Sequence, residues 1–164
     1  MAMQWSIRTH DSQIIQAIER TANVSPVVAQ ILALRGLTNN DQTTSFLDLK
    51  MTVLRPPQAL PGVSQAVDVI DRAIKNQKKI FIYGDYDADG MTSTAILFRC
   101  LQLLDADVSY FVPNRLNDGY GLSIENLGKL QSRGAELIIS VDCGIASVDE
   151  VQFARDEGME IIVT

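Results

Sequence analysis

Short, continuous runs of apolar residues recur four times in the second half of the chain, and an amphipathic stretch follows each of the first three. Such runs, bounded by glycine and polar residues, are typical of buried strands, and the stretches between them predict helices. We therefore predict an α/β fold, a doubly wound and mainly parallel sheet with helices on both faces. The predicted strands are 80–83, 108–112, 137–141 and one beginning at Ile161, and the intervening helices are 91–104, 123–132 and 147–157.

The first third of the chain has a helical pattern instead. Apolar residues recur there at helical spacing, and a proline-rich stretch then predicts a stiff, extended connection. We predict a small helical N-terminal segment with this connection at 1–62, and the first part of the α/β domain at 63–164. The predicted helices are 11–20, one that opens at Ser25-Pro26, 41–49 and 63–76.

Charge and composition limit the kinds of function. With 14 basic and 20 acidic residues the net charge is −6, which argues against nucleic-acid binding through a basic surface alone. An enzyme that meets the phosphate backbone through metal ions is compatible with this charge. The single histidine is His10, and the two cysteines form no CxxC pair, so a metal site within this chain must rely on carboxylates. Lacking a membrane span or signal-peptide core, the chain is predicted to be cytoplasmic.

The strongest chemical signal is the sequence Asp85-Tyr86-Asp87-Ala88-Asp89-Gly90, directly after the first predicted strand. If this segment is extended, its alternating carboxylates project to the same side. Two carboxylates ~5 Å apart repel each other by roughly 3 kcal/mol at an effective dielectric constant of about 20, and a divalent cation offsets that repulsion. Hard oxygen ligands favour Mg²⁺ or Mn²⁺, so Asp85, Asp87 and Asp89 are candidate metal ligands.

Two other interpretations of this motif are open. Aspartate and glycine are ordinary turn residues, so the segment can be a solvated acidic turn. It also matches the start of an EF-hand calcium loop. That loop requires a glutamate where this chain has Ile96, and a helix rather than a strand before it.

A fourth aspartate, Asp142, follows the third predicted strand. Parallel neighbouring strands would bring it to the same edge of the sheet as Asp87 and Asp89. On its own an aspartate before a glycine is common turn chemistry, so its weight comes from this agreement in position. Cys143 is interpreted as a small buried residue rather than a nucleophile, because no histidine partner stands near it in the sequence.

The loop after the second predicted strand carries Asn114 and Arg115, with Gly119-Tyr120-Gly121 beyond them. An arginine can hold a phosphate through two hydrogen bonds, and the asparagine can add a donor. The glycines would allow the backbone to approach a ligand closely. An ordinary surface loop is the alternative interpretation.

Together these motifs resemble the DHH phosphoesterase family, and within it the RecJ branch of single-stranded-DNA exonucleases. The motifs occur in the family's order and spacing, and the helical stretch before the first of them also favours this branch. The resemblance is tight from about residue 80 and loose before it. The matching segments are 83–93, 113–115, 119–122 and 141–145.

The resemblance implies a role for each of these residues. Asp87 and Asp89 would be metal ligands, Asp142 would bridge two ions, and Asp85 would lie beside them as a ligand through water or as an orienting group. Arg115, aided by Asn114, would engage a DNA phosphate. The implied cofactor is Mn²⁺ or Mg²⁺.

The resemblance also implies a reaction. Two metal ions would assist hydrolysis of phosphodiester bonds, and nucleotides would be removed from the 5′ end of single-stranded DNA in recombination and repair. Single-stranded DNA is then the expected partner, with unidentified repair proteins and without a membrane.

The chain departs from the family pattern at two places. Tyr83 stands where many relatives have a metal-binding histidine. The Asp-His-His motif that names the family would be expected directly after Thr164, so we expect the domain to be truncated there. The 164-residue chain alone is therefore expected to bind metal weakly and to be inactive.

Three alternative functions are left open by the sequence. One is a DHH phosphodiesterase that acts on short RNA, cyclic dinucleotides or pyrophosphate. A second is a non-catalytic DHH-like scaffold in replication. A third is a flavodoxin-like receiver, which also gathers aspartates at strand ends, although its acidic pair is spaced differently.

Overall fold

A computed structural model describes residues 11–48, 50, 54–114 and 119–164. The chain divides into two compact units, one up to Pro57 and one from Gln58 onward. Each unit has buried apolar residues of its own. None of the described helices is long and apolar enough to cross a membrane.

Three short α-helices lie among the described residues of the first unit, and a side chain caps the N-terminus of each. They are α1 (Ser12–Ala22), α2 (Pro26–Leu34) and α3 (Asn40–Leu47). The capping oxygens accept hydrogen bonds from backbone N–H groups of the first turn, which have no partner within a helix. The predicted helices are confirmed. The third begins slightly earlier than predicted because Asn39 caps it, and its predicted last residue, Leu49, lies outside the described residues.

The second unit is built on a sheet of four parallel strands. The strands are β1 (Ile80–Tyr83), β2 (Val108–Phe111), β3 (Leu137–Ser140) and β4 (Glu160–Val163). Their order in the sheet is β2-β1-β3-β4, so β1 and β3 are central neighbours. Every residue of these two strands is buried, which explains why they appear in the sequence as unbroken apolar runs.

Helices cover both faces of this sheet, as predicted. They are α4 (Val63–Lys75), α5 (Ala88–Leu103), α6 (Ile124–Ser132) and α7 (Val148–Asp156), and a short 3-10 helix (Pro57–Ala59) precedes them. Residues of α4 and α5 share one core cluster with Ile80 and Ile82. Residues of α6 and α7 share the other with Phe81 and Tyr83. Alternate residues of β1 therefore face opposite layers, which is the α/β arrangement that the sequence predicted.

The start of α5 differs from the prediction and changes the geometry of the acidic motif. The predicted helix begins at residue 91, but α5 begins at Ala88 because Asp87 caps it. The Asp87 Oδ1 atom accepts a hydrogen bond from the Gly90 N–H at 2.9 Å. The expectation that the three carboxylates project from an extended segment is therefore wrong, since Asp89 already lies in the first helical turn.

Candidate metal and phosphate site

The acidic residues lie at the carboxyl ends of the two central strands. Tyr83, the last residue of β1, is paired with Ser140, the last residue of β3. Asp85 and Asp142 follow these two residues at the same distance along the chain. The register of the two parallel strands therefore places both aspartates at one edge of the sheet, the edge where the sequence predicted Asp142 to lie with Asp87 and Asp89.

Asp85 is the buried aspartate at this edge of the sheet. It is 1% exposed, and its Oδ1 atom accepts a hydrogen bond from the Tyr86 N–H at 2.7 Å. Gly90 makes this position possible, because a Cβ atom on Gly90 would lie 2.6 Å from the Asp85 backbone nitrogen, oxygen and Cβ. Thr94 holds the same turn from the helix side, since its hydroxyl donates to the Gly90 carbonyl at 2.7 Å.

Asp87 and Asp89 are exposed at the first turn of α5. Their negative charge there is favourable for the helix, whose N-terminus carries a partial positive charge. A helix turns by about 100° per residue, so the two side chains do not share one side as they would in a strand. Asp87 also interacts electrostatically with Asp142, because its negative charge raises the pKa of the Asp142 carboxyl.

Asp142 is exposed and sits in the left-handed backbone region, with φ of 60°. The surrounding protein partly desolvates its carboxyl and raises its pKa, and the negative charges of the aspartates after β1 raise the pKa further. Within the part of the chain that the structure describes, no lysine or arginine forms an ion pair with these four aspartates. Their charge is therefore not compensated by described basic side chains.

The donor chemistry of this edge fits a divalent cation, although the side chains are not gathered around one point. Among the described residues, no group of three or more histidine, cysteine, aspartate or glutamate side chains is close enough to hold a metal ion. Asp87 and Asp142 are coupled electrostatically, since the negative charge of Asp87 raises the pKa of the Asp142 carboxyl. A divalent cation would offset this repulsion, and carboxylate oxygens are ligands that Mg²⁺ and Mn²⁺ accept.

Tyr120 also lies near the four aspartates Asp85, Asp87, Asp89 and Asp142, which we call the acidic cluster. This position was not predicted from the sequence. Its hydroxyl pKa is raised chiefly by the negative charge of Asp85, although 70% of the residue is exposed. Its ring meets that of Tyr86 edge-on, with 6.3 Å between centroids. Tyr120 and Asp142 line one open cavity of about 570 Å³. The sequence did contain a signal for such a position, since Tyr120 is an aromatic residue between two glycines after a strand.

The remaining predicted residues have mixed outcomes. Asn114 is exposed just after β2, and Arg115 lies outside the described residues, so their roles at a phosphate stay predictions. Cys143 is 7% exposed, and burial raises its pKa to about 11. The interpretation of Cys143 as a buried filler rather than a nucleophile agrees with this environment.

Comparison with known proteins gives a consistent set of relatives. The chain is 38% identical to the single-stranded-DNA-specific exonuclease RecJ of Bacillus subtilis (strain 168), over 99% of this chain and 21% of that protein. It is 35% identical to the protein of the same name from Escherichia coli (strain K12), over 99% of this chain and 28% of that protein. The chain thus spans between a fifth and a third of the length of these two curated relatives.

A solved structure is similar as well. The crystal structure of RecJ in complex with Mn²⁺ from Thermus thermophilus matches with a TM-score of 0.59 and 29% identity, over 96% of this chain and 21% of that one. The family model described as the DHH family, N-terminal domain, matches residues 79–164, the part of the chain that holds the sheet and the acidic cluster. The chain therefore belongs to the DHH family.

Proposed function

We propose that this chain forms the first part of a metal-dependent exonuclease that removes nucleotides from the 5′ end of single-stranded DNA. The observation that carries the proposal is the position of four aspartates at one edge of the sheet: Asp85, Asp87 and Asp89 follow β1, and Asp142 follows its parallel neighbour β3. Ligands of α/β proteins bind at this carboxyl edge, where partial desolvation and the negative charges of the other three aspartates raise the pKa of Asp142. The resemblance to exonucleases named for single-stranded DNA adds the substrate.

Asp87, Asp89 and Asp142 would hold Mn²⁺ or Mg²⁺, with Asp85 beside them as an orienting group. Such ions, when bound, stabilise the charge that develops on phosphoryl oxygens during hydrolysis. The chain contributes one buried carboxylate and three exposed ones. Asp85 is buried and fixed by the start of α5, whereas Asp89 and Asp142 are exposed and accessible to an ion.

The charge of the chain is consistent with this mode of binding. A net charge of −6 offers little general attraction to DNA, so the phosphate backbone would be met mainly through bound cations. Asn114 and Arg115, which follow β2 in the sequence, would add direct donors to a phosphate oxygen. We also propose a cytoplasmic location, together with repair proteins that act on the same strand.

The test is degradation of single-stranded DNA in the presence of Mn²⁺, using the protein at the full length that its gene encodes. One substrate carries its label at the 5′ end, a second at the 3′ end, and a third is duplex DNA. We expect labelled mononucleotides from the first, a shortening ladder from the second and little reaction of the third. Asp87→Ala and Asp142→Ala should each lower the rate on the order of a hundredfold or more.

An exposed aspartate on α4 provides the matched control. Asp68→Ala removes the same kind of side chain outside the proposed site and should leave the rate unchanged. Equal loss of activity in all three variants would contradict the assignment of the site. If the unchanged protein degrades short RNA or cyclic dinucleotides but not single-stranded DNA, the proposed substrate is wrong.

A further inference from the structure

Tyr83, at the end of β1, directs its hydroxyl into a buried hydrogen-bond network. The residue is 0% exposed, and its hydroxyl donates to the Gly121 carbonyl at 2.9 Å. The same hydroxyl accepts a hydrogen bond from Asn126 Nδ2 at 3.3 Å. Asn126 is also buried, and its Oδ1 atom accepts from Lys129 Nζ at 2.9 Å. The hydroxyl therefore connects β1 to the loop before α6 and to α6 itself.

Packing of the apolar core does not require the Tyr83 hydroxyl. The other residues of β1 are Ile80, Phe81 and Ile82, all apolar, and the Tyr83 ring lies 5.2 Å from the ring of Phe111. A phenylalanine would fill the same space. A buried hydroxyl must be hydrogen-bonded to offset its lost hydration, so its presence indicates that these particular partners matter.

The loop that Tyr83 holds carries Tyr120. Gly121 is buried and adopts a φ of 77°, but a Cβ atom there would meet nothing within 4 Å, so no side chain fills that side of the loop. The adjacent Tyr120 is 70% exposed and lies beside Asp142 in the same cavity. The position of its ring relative to the acidic cluster therefore depends on how firmly the Gly121 carbonyl is held.

We propose that Tyr83 is a positioning residue: its hydroxyl fixes the Gly121 carbonyl and thereby holds the Tyr120 ring beside the acidic cluster, where a base of the single strand stacks on it. This inference rests on the proposed function, because it requires single-stranded DNA at that edge. Aromatic rings commonly bind single strands by stacking on bases without sequence preference. The hydroxyl of Tyr83 is already bonded to Gly121 and Asn126, so it does not serve as a metal ligand here.

The experiment compares Tyr83→Phe, Tyr120→Leu and the double variant in the full-length protein. For each protein we would measure kcat and KM with a 5′-phosphorylated oligothymidylate in the presence of Mn²⁺. Mn²⁺ affinity would be measured by electron paramagnetic resonance. Tyr83→Phe should raise KM on the order of fivefold, the effect of one hydrogen bond, with kcat little changed. Tyr120→Leu should raise KM on the order of tenfold through lost stacking. Mn²⁺ affinity should not change in either variant.

The double variant separates positioning from general support of the core. If Tyr83 acts through Tyr120, the double variant raises KM no further than Tyr120→Leu does. Additive effects of the two changes, an unchanged KM in Tyr83→Phe, or a matching loss of Mn²⁺ affinity would each overturn the inference. If the unchanged protein does not degrade single-stranded DNA at all, the proposed function fails first, and the inference with it.

A second variant reaches the same loop without altering Tyr83 or the carboxylates. Gly121→Ala strains the backbone at a φ of 77° but introduces no clash. It should raise KM as Tyr83→Phe does and leave Mn²⁺ affinity unchanged. A normal KM in Gly121→Ala, with an altered loop shown by Tyr120 nuclear magnetic resonance shifts, would contradict the dependence of binding on this loop.

Discussion

The turns after β1 and β3 each present an aspartate to the same edge of the sheet, but they hold it in different ways. Asp85 is 1% exposed and is enclosed by the first turn of α5, which approaches through Gly90. Asp142 is exposed, with φ of 60°, and its turn is closed by the Ser140 hydroxyl, which donates to the Cys143 carbonyl at 2.9 Å. One carboxylate is fixed by burial, whereas the other is presented by backbone conformation.

This difference shows how one site can combine rigidity with adjustment. A buried carboxylate that is surrounded by backbone atoms cannot move when an ion binds. An exposed carboxylate on a strained turn can rotate toward a cation at little energetic expense. We therefore expect the turn after β1 to be the more sensitive to added volume, and the turn after β3 to the removal of charge.

The largest effect is expected at Gly90. Gly90→Ala places a methyl group 2.6 Å from three atoms of Asp85, two of which are backbone atoms that cannot move aside. Overpacking of this kind should lower the free energy of unfolding by about 3 kcal/mol, measured by urea unfolding with circular dichroism. Gly128→Ala is the control, because its nearest atom is 4.0 Å away and alanine favours the helix by roughly 0.5–1 kcal/mol. Similar stabilities for the two variants would contradict the close approach at Asp85.

A smaller effect is expected in the turn after β3. In Gly144→Ala the new methyl group meets the Leu122 Cδ1 atom at 2.8 Å, the end of a flexible side chain, while the φ of 99° strains the backbone. The strain should lower the free energy of unfolding by about 1–2 kcal/mol. Gly158→Ala has a φ of 78° with no atom within 4 Å of the new methyl group, so the difference between the two variants reports the contacts with Leu122 and with the Ser140 Oγ atom, which would lie 3.1 Å away. A larger loss in Gly144→Ala than in Gly90→Ala would reverse the comparison of the turns.

The smallest effect on stability, and one of opposite sign, is expected from Asp142→Asn. Removing this charge relieves repulsion with Asp87 and Asp89, so the Tm of the metal-free protein should rise at low ionic strength. The gain should shrink at higher salt, because screening weakens the repulsion of Asp142 in the unchanged protein. Affinity for Mn²⁺ should fall in the same variant. Asp68→Asn, an exposed aspartate on α4, should change neither quantity, and a lower Tm in Asp142→Asn would argue that the carboxylate supports its turn.

Much of the fold follows from patterns along the sequence. Four continuous apolar runs predict the four strands, because strands buried on both faces need no polar residue at alternate positions. The order β2-β1-β3-β4 does not follow from those runs, since strand order depends on contacts between distant segments. The pattern also misplaces the start of α5, because an aspartate that caps a helix resembles an aspartate in a turn until the Gly90 N–H is seen to reach Asp87.

The site is predictable to a similar degree. The prediction that Asp87 and Asp142 share one edge comes from placing both after parallel strands, and the register pairs those two strands directly. The prediction that the carboxylates of Asp85, Asp87 and Asp89 project to the same side of an extended segment is wrong. Asp85 is buried, and the other two lie at the start of a helix. Tyr120 has no role in the sequence interpretation because its position depends on Tyr83, which is distant in the sequence and bonds to Gly121 through a single buried hydroxyl.

The central position of β1 has a consequence for how the protein acquires its site. Ile80 pairs with Val108 on one side and with Leu137 on the other, so both partners of β1 are synthesised well after it. Contacts between distant segments form slowly in folding, because the entropic cost of closing a long loop comes before the free energy gained from the contacts. Asp85 and Asp142 consequently come together only when β3 docks against β1. A nascent chain whose Leu137–Ser140 segment is still inside the ribosome carries three of the four aspartates and cannot yet bring Asp142 to them.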